Sequence, residues 1–375
     1  MEFEKYRLSQ LLTIKNGRDY KSLGQGSVPV FGSGGYMCSV DSYLYDRPSV
    51  LLPRKGTLSN IQYYNKGPFW TVDTCYYTIV NENLVDSYYV YRYLRNLNLS
   101  GLDTGASIPS MTQKTYNGIK ILLPNLSIQH RIASILSTYD SLIENNTKRI
   151  RLLEKMAENL YKEWFSYGKI IKGGTIVRLT DIIQITRGLS YSTAEIDCEE
   201  GLDLINLKNI QAYGGFRYDG TKKFCGKYKN EQIVCEGDLV MGVTDMTQDR
   251  RTVGSVALIP KTDKLSVISA DLIKISSSIS CVFLFGMFKY GNVSKYVAQF
   301  ANGANVLHLR PKALHNIKVL LPNPNLINKY VDIVSPMVAE MNKLYVLSEK
   351  LARQRDLLLP RLMSGKLEVK EELLE

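Results

Sequence analysis

The stretch Leu136-Ser137-Thr138-Tyr139-Asp140-Ser141-Leu142-Ile143 opens an apolar series that recurs at alternating three- and four-residue steps. It runs Leu136, Tyr139, Ile143, Asn146, Ile150, Leu153, Ala157, Leu160, Trp164, and only Asn146 interrupts it. That spacing marks a helix packed along its length against another helix. Near the end of the chain the pattern returns as Ile327, Tyr330, Val334, Met337, Met341, Leu344, Ser348, Leu351, Arg355, Leu358. An offset of 198 superimposes the two, Val334 on Leu136, Met341 on Ile143, Leu351 on Leu153 and Leu358 on Leu160. The same offset carries Ile317-Lys318-Val319-Leu320-Leu321-Pro322 onto Ile119-Lys120-Ile121-Leu122-Leu123-Pro124, and Gly303-Ala304 onto Gly105-Ala106. The chain is an internal duplication.

Working outward, each helical stretch follows a globular one. Residues 1–126 form a first globule, 127–167 a helix, 168–325 a second globule, and 326–375 a second helix with a short tail. A helix of about 40 residues is about 60 Å long at 1.5 Å per residue. Either stripe alone also fits an ordinary core-facing helix. The matched register in both copies instead predicts an antiparallel helix pair, with Leu136, Ile143, Asn146, Leu153, Leu160, Val334, Met341, Leu344, Leu351 and Leu358 at its seam. The expected architecture is α+β: two similar domains at opposite ends of a helical rod, related by a pseudo-twofold axis, with the C-terminus returning to the first globule. Ile135, Leu142, Met156, Phe165, Val338 and Leu347 are then left facing outward.

The globules repeat too. Leu8-Ser9-Gln10-Leu11-Leu12-Thr13-Ile14-Lys15-Asn16-Gly17 matches Leu179-Thr180-Asp181-Ile182-Ile183-Gln184-Ile185-Thr186-Arg187-Gly188 at an offset of 171, so the second globule is 27 residues longer between matched ends. Thr71-Val72-Asp73 matches Ser269-Ala270-Asp271 at 198. Many short strands bounded by glycine turns predict mainly antiparallel sheet. Val28-Pro29-Val30-Phe31-Gly32-Ser33-Gly34-Gly35 reads as a strand entering a turn, since it lacks the GxGxxG spacing of a dinucleotide loop. The apolar run Cys281 to Phe288 is too short to span a membrane and reads as a buried helix or strand.

Charge separates the parts. The chain carries +11, with 13 Lys+Arg against 9 Asp+Glu in 1–126 and 20 against 14 in 168–325, while the helical parts hold 6 against 5 and 8 against 8. Basic globules beside a balanced rod suit a polyanionic partner, although a soluble basic protein with no such partner has the same composition. Met1-Glu2-Phe3-Glu4 opens no signal peptide, and six cysteines without a CxxC pair suggest free thiols in the cytoplasm.

Catalytic patterns are missing. His130, His308 and His315 form no HExxH or Cys/His metal pattern, and neither GxxxxGK[ST] nor GxSxG occurs. Glu368-Val369-Lys370 sits in an acidic tail, and Asn323-Pro324-Asn325 is a turn rather than the asparagine–proline–proline–aromatic motif of amino-methyltransferases. The reading is of a chain without catalysis, metal or bound cofactor.

What the globules offer is polar loops at the ends of buried strands. After Ser49-Val50-Leu51-Leu52-Pro53 come Arg54, Lys55, Ser59 and Asn60; after Asp238-Leu239-Val240-Met241 come Thr244, Gln248, Arg250 and Arg251. Thr104 and Ser107, with Asn302 and Asn305 in the second copy, lie just before the strand that enters each helix. Arginine and lysine can read guanine or hold phosphate, and asparagine or glutamine can read adenine, so these twelve are the candidate DNA contacts. Each also fits an ordinary turn.

Assembled, the chain resembles the specificity subunit of a type I restriction–modification system over essentially its whole length. The resemblance is strongest in Arg355-Asp356-Leu357-Leu358-Leu359-Pro360-Arg361-Leu362-Met363-Ser364-Gly365-Lys366-Leu367-Glu368-Val369, in Leu152-Leu153-Glu154-Lys155-Met156-Ala157-Glu158-Asn159-Leu160-Tyr161, and in Ile119 to Ile132 with Leu122-Leu123-Pro124 and Gln129. It implies two target-recognition domains reading the halves of a bipartite, asymmetric site in double-stranded DNA. Two modification subunits with S-adenosylmethionine would clasp the helices, and motor–nuclease restriction subunits would join them, ATP and Mg residing on partners. The second copy has Ile327 where the first has Gln129, which implies that the two ends do not contact their modification subunits identically. A specificity subunit of another methylation or defence system, or a coiled-coil scaffold, fits the same residues.

Overall fold

Strand by strand, the duplication is visible in the backbone. A computed structural model describes residues 2–103, 108–165, 174–196, 198–262 and 264–369. Two compact units emerge, one from residues 1–145 with 348–375, the other from residues 146–347.

In the first unit, strand Glu4–Arg7 pairs antiparallel with Lys120–Leu123, and the Leu8 amide donates to the Ile119 carbonyl at 2.8 Å. A single helical turn, Leu8–Leu11, buries both its leucines and leads to strand Leu12–Asn16. That strand edges a sheet ordered Leu12–Asn16, Cys75–Val80, Ser49–Pro53, Gln62–Tyr64, antiparallel throughout. A second sheet joins Gly35–Val40, Gln25–Gly32 and Trp70–Thr71, the last pair parallel.

The second unit repeats this. Thr175–Arg178 pairs with Lys318–Leu321, and the Leu179 amide again donates to Ile317 at 2.8 Å. Its main sheet runs Gln184–Arg187, Leu272–Ser276, Leu239–Gly242, Val256–Leu258, and its second sheet Lys222–Phe224, Leu202–Ile205, Ser266–Ile268, Ile233–Val234. Again one pair, Asp203 with Ser266, is parallel. The additional length lies in three-residue turns such as Leu207–Asn209 and Tyr218–Gly220, and in the added strand Ile233–Val234. The Cys281 run forms helix Cys281–Lys289, matching Ser87–Asn96 in the first unit.

Two glycines show why the openings repeat. A Cβ on Gly17 would lie 2.0 Å from the Val72 carbonyl oxygen, and one on Gly188 2.0 Å from that of Ser269. In each unit the strand after the helical turn, Leu12–Asn16 or Gln184–Arg187, ends where it meets backbone at the end of a strand of the second sheet, at a distance only glycine permits.

The long helices are Leu126–Phe165 and Pro324–Met363, 40 residues each. Both units contain a piece of both. In the first unit Leu136, Leu359, Leu362 and Met363 share a core with Leu11, Leu52, Tyr89 and Ile121, so the C-terminal segment does pack on the first globule. In the second, Ala157, Tyr161, Ile327, Tyr330 and Val334 join Leu239, Ile273, Phe283 and Val319. There Arg149 pairs with Glu340 at 3.0 Å and the rings of Tyr161 and Tyr330 lie 5.7 Å apart. As one helix advances the other recedes, so within this unit they run antiparallel.

Burial follows the apolar stripe. Leu136, Asn146, Val334 and Leu344 are buried, whereas Ile143, Leu153, Leu160, Met341, Leu351 and Leu358 are half-buried. Pro336 lies mid-helix without ending it, its ring on an exposed position where only one backbone hydrogen bond is lost.

Three expectations need correction. Phe165 and Val338 do not face outward; both pack on the core of the second unit, Phe165 against Phe283 at 5.4 Å and Tyr330 at 5.3 Å. Ile135, Leu142, Met156 and Leu347 do face solvent, joined by Leu152 and Leu357. Gln129 is also no partner contact. It is buried, its amide nitrogen donating to Leu84 O at 3.1 Å and Pro124 O at 2.9 Å while its oxygen accepts from Asp86 N at 3.1 Å. It braces the helix start against the Ser87–Asn96 helix; its counterpart Ile327 is buried among apolar groups instead. The two copies thus differ in how they fasten the helix internally.

Candidate nucleic-acid interface

In the first unit the site begins at strand Ser49–Pro53, buried at all five positions because both its faces are covered. The chain then emerges at Arg54, and three loops converge. Met111 N donates to Arg54 O at 3.0 Å and Gly56 N to Pro109 O at 2.8 Å, which joins residues 54–60 to 108–111. Gly56 takes φ +96°, a conformation that favours glycine. Asn60 Nδ2 donates to Ser33 O at 2.6 Å and Gln62 Nε2 to Gly32 O at 2.9 Å, which adds the two-residue turn between Gly32 and Gly35. Lys55, Thr57 and Ser59 are exposed, and Tyr36, Met37 and Ile108 present apolar surface in the same three segments. Arg54 is half-buried, its guanidinium 6.0 Å from the Tyr76 ring centre and Nη1 3.4 Å from Asp73 O. Thr104 and Ser107 lie outside the described residues; next to them, Asp103 Oδ1 accepts from Ser110 N at 2.8 Å.

The second unit brings together the equivalent segments. Two-residue strand Thr244–Asp245 pairs with Leu307–His308, and Gln248 Nε2 donates to Ala304 O at 2.9 Å. Residues 246–251 and 302–305 therefore form one exposed surface. Asn302 is exposed, with Nδ2 3.3 Å from Phe300 O, and Asn305 is exposed beside it. Arg251 pairs with Asp249, and Arg250 stands in the left-handed region at φ +52°.

Two candidates at strand ends have partners within the scaffold. Thr244 is only 6% exposed and its hydroxyl donates to Asp271 Oδ1 at 3.0 Å, so it is part of the loop's base. Asn60 has its amide nitrogen committed to Ser33, as above. Both lie at a strand end, where spacing alone does not tell an outward side chain from an inward one.

Asp245 is the residue that spacing missed. It is 2% exposed, and burial opposes its charge. Hydrogen bonds from Thr252 and Thr247 nevertheless hold its carboxyl down at about 2. The signal available in sequence was an aspartate followed two and seven residues later by threonines.

Among the described residues no group of three or more His, Cys, Asp or Glu side chains is placed to hold a metal ion. Among the same residues no helix is long and apolar enough to cross a membrane.

With that geometry in place, comparison with known proteins is specific. Residues 1–155 match the type I restriction modification DNA specificity domain. The type I restriction enzyme MjaVIII specificity subunit of Methanocaldococcus jannaschii is 25% identical over 266 residues, 65% of this chain and 61% of that protein. The MjaIX specificity subunit of the same organism is 22% identical over 359 residues, 88% of this chain and 79% of its own length. Among solved structures, the crystal structure of the S subunit of a type I restriction–modification system from M. genitalium has a TM-score of 0.68 at 15% identity, covering 96% of each chain. That likeness concerns the fold.

Proposed function

We infer that this chain, whose homologues are type I restriction–modification specificity subunits and whose residues 1–155 carry that family's DNA specificity domain, is the DNA-reading subunit of such a system. The observation that carries the reading is the repeated loop cluster. Each unit gathers polar and basic loops at the end of one buried strand of its main sheet, and each does so through the same strand order.

On this reading residues 1–126 and 168–325 are target-recognition domains and 127–167 with 326–375 are the spacer helices. Lys55 and Ser59 with Arg54 in the first domain, and Gln248, Arg250, Arg251, Asn302 and Asn305 in the second, supply contacts to base edges and phosphates. The chain performs no chemistry itself. Two modification subunits bearing S-adenosylmethionine dock on exposed apolar helix residues, and motor–nuclease subunits with ATP and Mg complete the complex. The helices set the gap between half-sites.

Domain exchange tests this. Replacing residues 1–120 with the equivalent segment of a related subunit should change one half of the methylated sequence, and replacing 175–318 only the other. The readout is methylome sequencing of cells expressing each chimera with its modification partner. A chimera that altered both halves would refute two independent readers.

A further inference from the structure

The loop that follows strand Thr244–Asp245 is staked to one carboxylate. Asp245 Oδ1 accepts from the Thr247 amide at 2.8 Å and the Thr247 hydroxyl at 2.9 Å, while Oδ2 accepts from the Thr252 amide at 2.7 Å and the Val253 amide at 3.4 Å. Both ends of the loop are therefore fixed by the same side chain. Further stakes hold its middle and far end. Gln248 reaches the Ala304 carbonyl, and the Arg251 carbonyl accepts from the Tyr213 amide and the Ser255 hydroxyl, each at 2.8 Å. Exposed loops of six residues are usually mobile; this one is preformed.

What it presents is selective. Met246 is 71% exposed, Gln248 has its amide nitrogen engaged, and Arg251 is neutralised by Asp249. Arg250 is different. It is exposed, sits at φ +52°, and makes no ion pair or side-chain hydrogen bond among the described residues. Non-glycine residues enter that backbone region uncommonly, and here the surrounding hydrogen bonds impose it. A fork of guanidinium donors held on a fixed backbone matches the two acceptors, O6 and N7, that guanine shows in the major groove.

We propose that Arg250 reads a guanine in the half-site recognised by the second unit, and that Asp245 is the positioning residue that holds the loop for it. This rests on the DNA-reading function proposed above. A preformed loop pays little ordering entropy on binding, so affinity should depend on Asp245, and base preference should depend on it too because Asp245 fixes where the loop carries Arg250.

The experiment uses the full chain assembled with its modification subunits. Methylome sequencing first defines the wild-type target; if no sequence-specific target exists, the DNA-reading function fails, and not this assignment alone. Given a target, Arg250→Gln should relax one base-pair position in one half-site, losing discrimination there by about 10–100-fold, with the other half-site unchanged. Arg250→Lys, which keeps the charge but not the planar fork, should recover affinity and only part of the guanine preference. Asp245→Asn should relax the same position and speed hydrogen exchange at the Thr247 and Thr252 amides. Should it not fold, the exposed Arg250 variants still decide. The assignment is overturned if Arg250→Gln weakens binding to all duplexes alike and lowers the salt slope by about one, the mark of a phosphate contact. An unchanged target in Arg250→Gln overturns it equally.

Discussion

Asp140 offers a quantitative test of how the first unit is held together. Its carboxylate accepts from the Tyr88 hydroxyl at 2.5 Å, from Arg355 Nη1 at 2.6 Å, and from Arg92. Arg92 is only 4% exposed and also donates through Nε to the Tyr88 oxygen at 2.9 Å. The cluster thus joins the Ser87–Asn96 helix to both long helices, all within one unit. Asp140→Ala leaves the Arg92 charge buried without a carboxylate, which costs about 3–5 kcal/mol. For a unit of roughly 150–250 residues, each kcal/mol lowers Tm by about 2–4 °C, so the drop should be on the order of 10 °C. Arg92→Met with Asp140→Leu removes the buried Arg92–Asp140 pair while Arg355 keeps Asp356 at 2.8 Å, and should recover most of it, because an apolar pair of similar volume replaces a buried ion pair at little net cost. Two units need not unfold together, so calorimetry should be paired with hydrogen exchange across residues 87–96 and 130–145. Acid sharpens the test. Burial raises the Asp140 pKa, but its hydrogen bond from Tyr88 and the charges of Arg92 and Arg355 outweigh that and lower it overall. A depressed carboxylate contributes stability that is full above its unfolded value of about 3.9 and is lost as pH falls through the folded value, so the wild type should lose this advantage over Asp140→Ala only below about pH 4. A drop under 2 °C in Asp140→Ala, or a double variant as unstable as the single, would refute the reasoning.

Other outcomes follow from the same structure. Gly17→Ala and Gly188→Ala each force a Cβ to within 2.0 Å of a backbone carbonyl oxygen, so each should destabilise its own unit by about 3 kcal/mol or more, seen as lost soluble yield and lowered Tm. Leu152 and Met156 lie four residues apart on one exposed helix face, and changing both to Glu should weaken capture of the modification subunit in pull-down while leaving Tm within about 2 °C. Inserting seven residues after Asn146 and seven after Leu344 keeps both stripes in register and lengthens each helix by roughly 10 Å, so the methylated half-sites should move apart by roughly three base pairs with their sequences unchanged. Methylation at the original spacing by such a folded variant would remove the helices as the ruler.

Much of this architecture is readable from residue order because the duplication writes it twice. A helix stripe and a strand-ending glycine are local patterns, and finding Val334 on Leu136 and Gly188 on Gly17 converts each weak local signal into a shared one. That reasoning reached the two long helices, the α+β globules and the turn between Gly32 and Gly35. It stopped at side-chain direction. Thr244 and Arg250 are six residues apart on one polar segment, yet one is bonded inward to Asp271 and the other is exposed.

The difference has a physical origin. Periodicity is set by the backbone's own geometry, 3.6 residues per helical turn and two per strand, so a single chain displays it without reference to distant partners. Loop aim has no period. It is decided by hydrogen bonds between segments far apart in sequence: Gln248 to Ala304, Asn60 to Ser33, Gly56 to Pro109. Gln129 makes the same point within the repeat, since a glutamine and an isoleucine at matched positions are equally buried, one bonded to Leu84 and Asp86, the other packed in a core. Sequence alone determined that this protein has two like halves, each joined to a long helix with one apolar face. Only tertiary structure decided which polar residues brace the loops and which stand exposed, because those roles depend on partners that the fold, not the local chain, brings within hydrogen-bond reach.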